Sequence, residues 1–218
     1  MTMHSVIIAD DSATCNIVNL CMRLKDSTTR SLNQYKTSHP DVEIISSDCL
    51  SSNVTKHNLS EHLAQVNSEN FACFWYGHGR KQSFVVGDEE IVTSTENHYI
   101  FSNALIYTFS CFNGGELADI LIQNQTKTFV GYNGVANCPY GLDDITTEIV
   151  MSFIDSFLSG KTANEAKADL VAAYERSIFD DSLEPIQRSR FQENRDNLVL
   201  KGDGNITVGD LLVEDITI

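Results

Sequence analysis

Three things are scarce in this chain of 218 residues, and each scarcity removes a class of function. Basic residues come first: 15 Lys and Arg stand against 30 Asp and Glu, a formal net charge of −15. Nucleic acids and anionic membrane surfaces are held by Lys and Arg facing phosphates, so neither is an expected partner. The same charge would steer basic peptides or proteins toward the chain, although plain solubility explains it as well. Long apolar runs are the second lack. None approaches the ~20 residues that cross a bilayer. Met1-Thr2-Met3-His4-Ser5 enters Val6-Ile7-Ile8 with neither a basic nor a long apolar leader region, so no secretory signal is expected. Ligand spacing is the third. There is no C-x-x-C pair, and the six histidines keep no ligand spacing with the cysteines, so no metal site and no cofactor are expected.

Six cysteines are present, at 15, 21, 49, 73, 111 and 138. They are scattered, and a disulfide framework belongs to small secreted domains rather than to a chain with room for a substantial core. Free thiols in a reducing, cytoplasmic setting are the expectation. No repeat, low-complexity stretch or flexible linker divides the sequence, so residues 1–218 read as a single domain.

What the sequence does have is concentrated between Phe71 and Gly115. Phe71-Ala72-Cys73-Phe74-Trp75-Tyr76 runs into Gly77-His78-Gly79, and Ala104-Leu105-Ile106-Tyr107-Thr108-Phe109 runs into Ser110-Cys111-Phe112-Asn113-Gly114-Gly115. Apolar runs of this length bounded by Gly read as buried strands. Functional side chains in an open α/β sheet collect at the carboxyl ends of its strands. Here two such ends carry a His and a Cys.

The rest of the chain supplies the frame. Ser5–Ala9 predicts a first strand ending at Asp10-Asp11-Ser12, and Val42–Ser46 a second. Residues 13–37 show helical spacing interrupted at Asp26-Ser27-Thr28-Thr29, which predicts one helix with a broken end or two short ones. Asn58–Val66 predicts another helix, Ser83–Val92 a hairpin around Gly87-Asp88, and Thr128–Tyr132 a fifth strand. A helix covers about Gly115–Gln123. Ile145, Ile149, Phe153 and Phe157 recur every four residues along Asp144–Leu158, and Thr162-Ala163-Asn164-Glu165 fits a capping box. The charged piece from Phe179 to Asn197 reads as an exposed connection or partly ordered helix, and Leu198–Val208 as a terminal hairpin. Alternating strands and helices predict a mostly parallel central sheet with helices on both faces.

A thiol attacks a carbonyl only as thiolate, and needs a neighbouring imidazole, cation or helix start to become one. Cys111 is predicted at the start of the helix to Gln123, and His78 at the same sheet edge if their strands are neighbours. The amides of Gly79 and Cys111 could form an oxyanion hole, with His78 as general acid. The bland alternative is a small apolar thiol after a buried strand. Cys15, Cys21, Cys49, Cys73 and Cys138 fit that alternative. His62 and His98 read as surface or boundary residues.

Tyr76-Gly77-His78-Gly79 followed by Ser110-Cys111-Phe112-Asn113-Gly114-Gly115 resembles the paired motifs of the caspase-fold cysteine peptidases, which include caspases, metacaspases, gingipains, separases and bacterial CHAT domains. Thr128–Gly134, the amphipathic helix and Gly160–Ala166 look like the downstream part of CHAT and gingipain-like domains, and Leu200–Gly204 is similar to a late gingipain turn. The resemblance covers roughly residues 70–205 and implies a caspase-like three-layer α/β sandwich. It implies a cysteine endopeptidase with His78 and Cys111 as its dyad, a protein or peptide substrate, and an activating partner, as in bacterial defence or cell-death systems. The substrate pocket in this fold draws on the loops after the first, fourth and fifth strands, which offers Asp10, Asp11, Asp143 and Asp144 and a basic residue before the cut. Asp143 or Asp144 could instead cap the next helix. Ser110 replaces the acidic residue that metacaspases carry there, and the caspase pentapeptide is absent, so neither subgroup's preference transfers. Arg188, Arg190 and Arg195 offer self-cleavage points or an ordinary solvated face. Two other readings stand beside the peptidase. One is a catalytically quiet binding subunit on the same fold. The other is a phosphate receiver suggested by Asp10-Asp11, which Gly77-His78-Gly79 opposes by occupying the place of the phospho-accepting Asp.

Overall fold

The computed structural model describes residues 1–12, 15, 17–50 and 54–214. In chain order the elements are β1 (Thr2–Ala9), α1 (Val18–Ser38), β2 (Glu43–Leu50), α2 (Lys56–Ala64), β3 (Phe71–Tyr76), β4 (His78–Arg80), β5 (Ser83–Val86), β6 (Glu89–Thr93), β7 (Ala104–Phe109), α3 (Glu116–Gln123), β8 (Thr128–Tyr132), α4 (Asp143–Leu158), α5 (Ala163–Ile178), α6 (Pro185–Asn197), β9 (Leu198–Gly202) and β10 (Leu212–Val213).

β2, β1, β3, β7 and β8 run parallel in that spatial order, with β9 antiparallel at one end. β10 pairs with Thr2 and Met3 of β1, just before β3 takes over that side of the strand at His4. Side chains alternate across the sheet, so each strand feeds two cores. Ile7, Phe74, Tyr76, Tyr107, Phe109 and Tyr132 face α1, α4, α5 and α6. Val6, Ile8, Trp75, Ile106 and Phe129 face α2, α3 and the β4–β5–β6 sheet. A strand covered on both faces must be apolar throughout, which is why β3 and β7 are continuous apolar runs.

The helices form where the sequence places them, with four differences. α1 is unbroken through Asp26–Thr29, because Thr28 is not a surface residue: its buried hydroxyl donates to the Leu24 carbonyl and meets Tyr76 Oη at 2.6 Å. The start of that predicted helix, at residues 13, 14 and 16, lies outside the described residues. Of the two readings of Phe179–Asn197, the helix holds from Pro185 on, with a short connection before it, and it is not fully exposed. Pro185 opens α6, whose Phe191 and Asn194 are fully buried. Leu198–Val208 is not a hairpin, since β9 pairs with β8 and β10, farther along the chain, pairs with β1. The predicted hairpin around Gly87 gains a third strand, β4, which begins at His78. The capping box at α5 is present, with Thr162 Oγ1 accepting from the Glu165 amide and Glu165 Oε2 from the Thr162 amide.

Candidate active site

β1, β3 and β7 end level. Ala9 pairs with Tyr76 and Tyr76 with Phe109, so Asp10, Gly77-His78 and Ser110-Cys111 leave the sheet side by side at its carboxyl rim. Backbone bonds tie the exits together: the Asp10 amide donates to the Tyr76 carbonyl (2.9 Å) and the Gly77 amide to the Phe109 carbonyl (3.3 Å). Both glycines serve close approach. A Cβ on Gly77 would lie 2.9 Å from Asp10 Cβ, and one on Gly79 would fall inside Asn113 Oδ1 and the Cys111 carbonyl oxygen. His78 is set by strand pairing rather than by a free loop, since it faces Val85 in β4–β5.

The other half of the site hangs on Asn113, which is completely buried. Its side-chain amide donates to the carbonyls of Arg80 (3.0 Å) and Ser83 (2.8 Å), and its Oδ1 accepts from Ser110 Oγ. That one side chain joins the turn after β7 to the strands that carry His78. The same turn bonds to the exit of β8: the Phe112 amide donates to the Gly134 carbonyl (2.8 Å) and the Gly114 amide to the Tyr132 carbonyl (2.9 Å). Phe112 takes a positive φ of 62° to do so.

This turn overturns one expectation. Cys111 does not open a helix, because α3 begins only at Glu116. Phe112 and Gly114, in between, spend their amides on the β8 exit instead. Cys111 is half-buried, its sulfur accepts from the Ala136 amide (3.4 Å), and burial pushes its thiol up, against the pull of that bond.

Past Ala136 the chain enters a groove of about 350 Å³ walled by Asn137, Cys138, Pro139 and Tyr140 on one side and Glu184, Ile186, Gln187 and Arg190 on the other. Tyr140 is 99% exposed there, a large aromatic with nothing over it.

The four acidic candidates have different settings. Asp10 is fully buried, and its carboxylate accepts from the amides of Ser12 (3.0 Å) and Gly87 (3.0 Å). Asp11 is half-buried beside it. Asp143 and Asp144 do not cap α4, whose N-cap is Leu142. They occupy its first turn, where the helix dipole favours negative charge. Asp143 Oδ1 accepts from the Cys138 thiol (3.3 Å), and Asp144 pairs with Arg23 of α1.

Sequence reasoning missed Cys15. It lies before α1, 4% exposed, and its sulfur, an Asp10 carboxylate oxygen and a His78 ring nitrogen all fall within 4.8 Å of one another. The Cys21 thiol donates to the Cys15 sulfur and holds its pKa down. Asn113 was also missed. Its signal was present, since a polar residue between Phe112 and two glycines at a strand exit invites a side-chain-to-backbone bond.

No protein-family model matches the chain, and no curated protein does. Among solved structures it is similar to the Arg-specific cysteine proteinase gingipain R, with a TM-score of 0.63 and 14% identity. The match covers 94% of this chain and 47% of the gingipain, so the chain spans about half the length of that protein. At this identity the likeness concerns architecture, and it establishes a caspase-like α/β fold with a mixed, mostly parallel central sheet.

Proposed function

We propose that the chain is a cysteine endopeptidase that cleaves a protein partner with Cys111 as nucleophile and His78 as base and acid. The observation that carries this reading is the contact of the two strand exits, where the backbone at Gly79 rests against Cys111. The likeness in fold to a cysteine proteinase supports it.

In the reaction His78 takes the Cys111 proton, the sulfur bonds to the scissile carbonyl carbon, and the C–N bond breaks as His78 returns the proton to the leaving amine. Water, deprotonated by the same imidazole, then opens the thioester. The amides of Gly79 and Cys111 face the developing oxyanion. The Phe112 amide takes no part, being committed to Gly134. Of the four acidic candidates, Asp11 and Asp143 are the ones that favour an Arg or Lys before the cut, Asp143 through its contact with Cys138 in the groove wall. Asp10 is fully buried against two amides, and Asp144 is paired with Arg23.

A thiol held up by burial is not yet a nucleophile. We read this form as the resting one, which an activating partner converts by bringing the imidazole and sulfur together. The same burial favours a second reading, a quiet binding subunit that uses the groove for docking. A peptide-based electrophile ending in Arg separates the two. Modification of Cys111 ahead of the other five thiols, found by peptide mapping, supports the peptidase. Uniform slow labelling of all thiols in the presence of cell extract supports the docking subunit.

A further inference from the structure

Among the described residues, one set of metal-ligating side chains meets beside the candidate dyad. An Asp10 carboxylate oxygen, Cys15 Sγ and a His78 ring nitrogen lie within 4.8 Å of one another. We propose that Asp10, Cys15 and His78 bind a thiophilic divalent cation of the zinc class, and that the ion switches the chain off by taking His78 from Cys111. The regulatory half rests on the reading of His78 as the base for Cys111. The binding half does not.

The donor set selects the ion. One thiolate, one imidazole and one carboxylate suit zinc and its neighbours and do not suit magnesium or calcium, which prefer oxygen alone. Bonds of ~2.0–2.3 Å place two ligands of a tetrahedral ion roughly 3.5 Å apart, so a side-chain rotation closes the remaining gap. Three protein ligands leave a fourth position for water.

The surroundings hold the ligands in place. Both Asp10 oxygens are oriented by amides, Ser12 on Oδ1 and Gly87 on Oδ2, as the carboxylate of a metal ligand is by its surroundings. Cys15 is held by two backbone bonds, its amide donating to the Ser12 carbonyl (3.0 Å) and its carbonyl accepting from the Val18 amide (3.3 Å). Gly77 makes room for His78 to approach Asp10 so closely. Asp10 and Cys15 are both buried, and a carboxylate and a thiolate enclosed together are two negative charges that a dication neutralises. An ion reaches them past His78, which is half-exposed and lines a cavity of about 240 Å³ with Gly87 and Asp88.

On binding, the Cys15 thiol gives its proton to solvent and His78 coordinates through an unprotonated nitrogen. A ring nitrogen engaged with the ion cannot take the Cys111 proton. The inhibition is reversed when the ion is removed.

The test begins without activity. The full chain is stripped with chelator and titrated with cobalt(II), whose thiolate charge-transfer absorption reports a Cys ligand. One equivalent should raise that band in the parent chain and in Cys111→Ala. Cys15→Ser should abolish it, and His78→Ala, a change at a half-exposed position, should weaken cobalt binding at least tenfold. No band in the parent, or an unchanged affinity in His78→Ala, overturns the site. The rate of peptide cleavage is then measured with and without one equivalent of zinc, each variant against its own chelator-treated rate. Loss of at least nine-tenths of the parent rate, with Cys15→Ser needing tenfold more zinc for the same loss, supports the switch. Equal zinc sensitivity in the two overturns it. A chelator-treated parent with no cleavage at all, alongside an intact cobalt band, sinks the peptidase reading and the switch while leaving the metal site standing.

Discussion

The exits of β1 and β7 each bring a cysteine to the carboxyl rim, and they treat the sulfur in opposite ways. Cys15 is enclosed but receives a hydrogen bond from the Cys21 thiol, which favours its thiolate. Cys111 is better exposed, yet burial outweighs its one bond from Ala136 and favours the thiol. Reach and activation are therefore separate properties here. The better exposed sulfur is the one that still needs a base, and the one whose pKa is drawn down lies buried before α1.

The sharpest way to break this contrast is to delete the accessible sulfur. Cys111→Ala should lower peptide cleavage by at least a thousandfold, about 4 kcal/mol in the barrier, while the melting temperature stays nearly constant. Cleavage that survives would hand the nucleophile's role to another thiol, Cys15 first. A smaller effect follows from pushing the two exits apart. In Gly79→Ala the new methyl meets Asn113 Oδ1 and the Cys111 carbonyl, and overpacking of this kind costs ~1–3 kcal/mol of unfolding free energy. Urea denaturation should show it, and an unchanged midpoint would mean the exits do not press on each other.

The gentlest test uses pH. Burial pushes the Cys138 thiol from an ordinary value of 9.0 to about 11, and raises the tyrosines at 76, 107, 132 and 174 as well. A group whose pKa is higher folded than unfolded adds stability below its unfolded value, and loses it as pH climbs through the folded one. The melting temperature should hold level to about pH 9 and fall through pH 11. In Cys138→Ser the decline should begin later, and an identical curve would remove that thiol from the account.

Much of this molecule was legible in advance, and the gaps have physical causes. β3, β7 and β8 keep the limits that Phe71–Tyr76, Ala104–Phe109 and Thr128–Tyr132 announce, because strands buried on both faces are apolar from end to end. The rim position of His78 and Cys111 follows from those strands. β4 was hidden because a three-residue strand containing Gly79 has no periodicity to display, and β10 because it holds only two residues. Thr28 masqueraded as a helix break, since its burial depends on Tyr76, forty-eight positions away. The expected helix start at Cys111 failed because the turn at Phe112–Gly115 bonds to β8 instead. Asp10, Cys15 and His78 have no motif spacing at all. Only the level ends of β1 and β3 make them neighbours.

Asn113 has a mechanical meaning beyond its three bonds. It is a rivet through two plates, fastening the outlying β4–β5–β6 sheet to the loop that carries the sulfur. With the close approach of Gly79 to the Cys111 carbonyl and the bond from the Leu117 amide to the Lys81 carbonyl, it makes the outlying sheet and the sulfur-bearing loop one connected piece. A protein settling on those strands would bear on a part joined to Cys111.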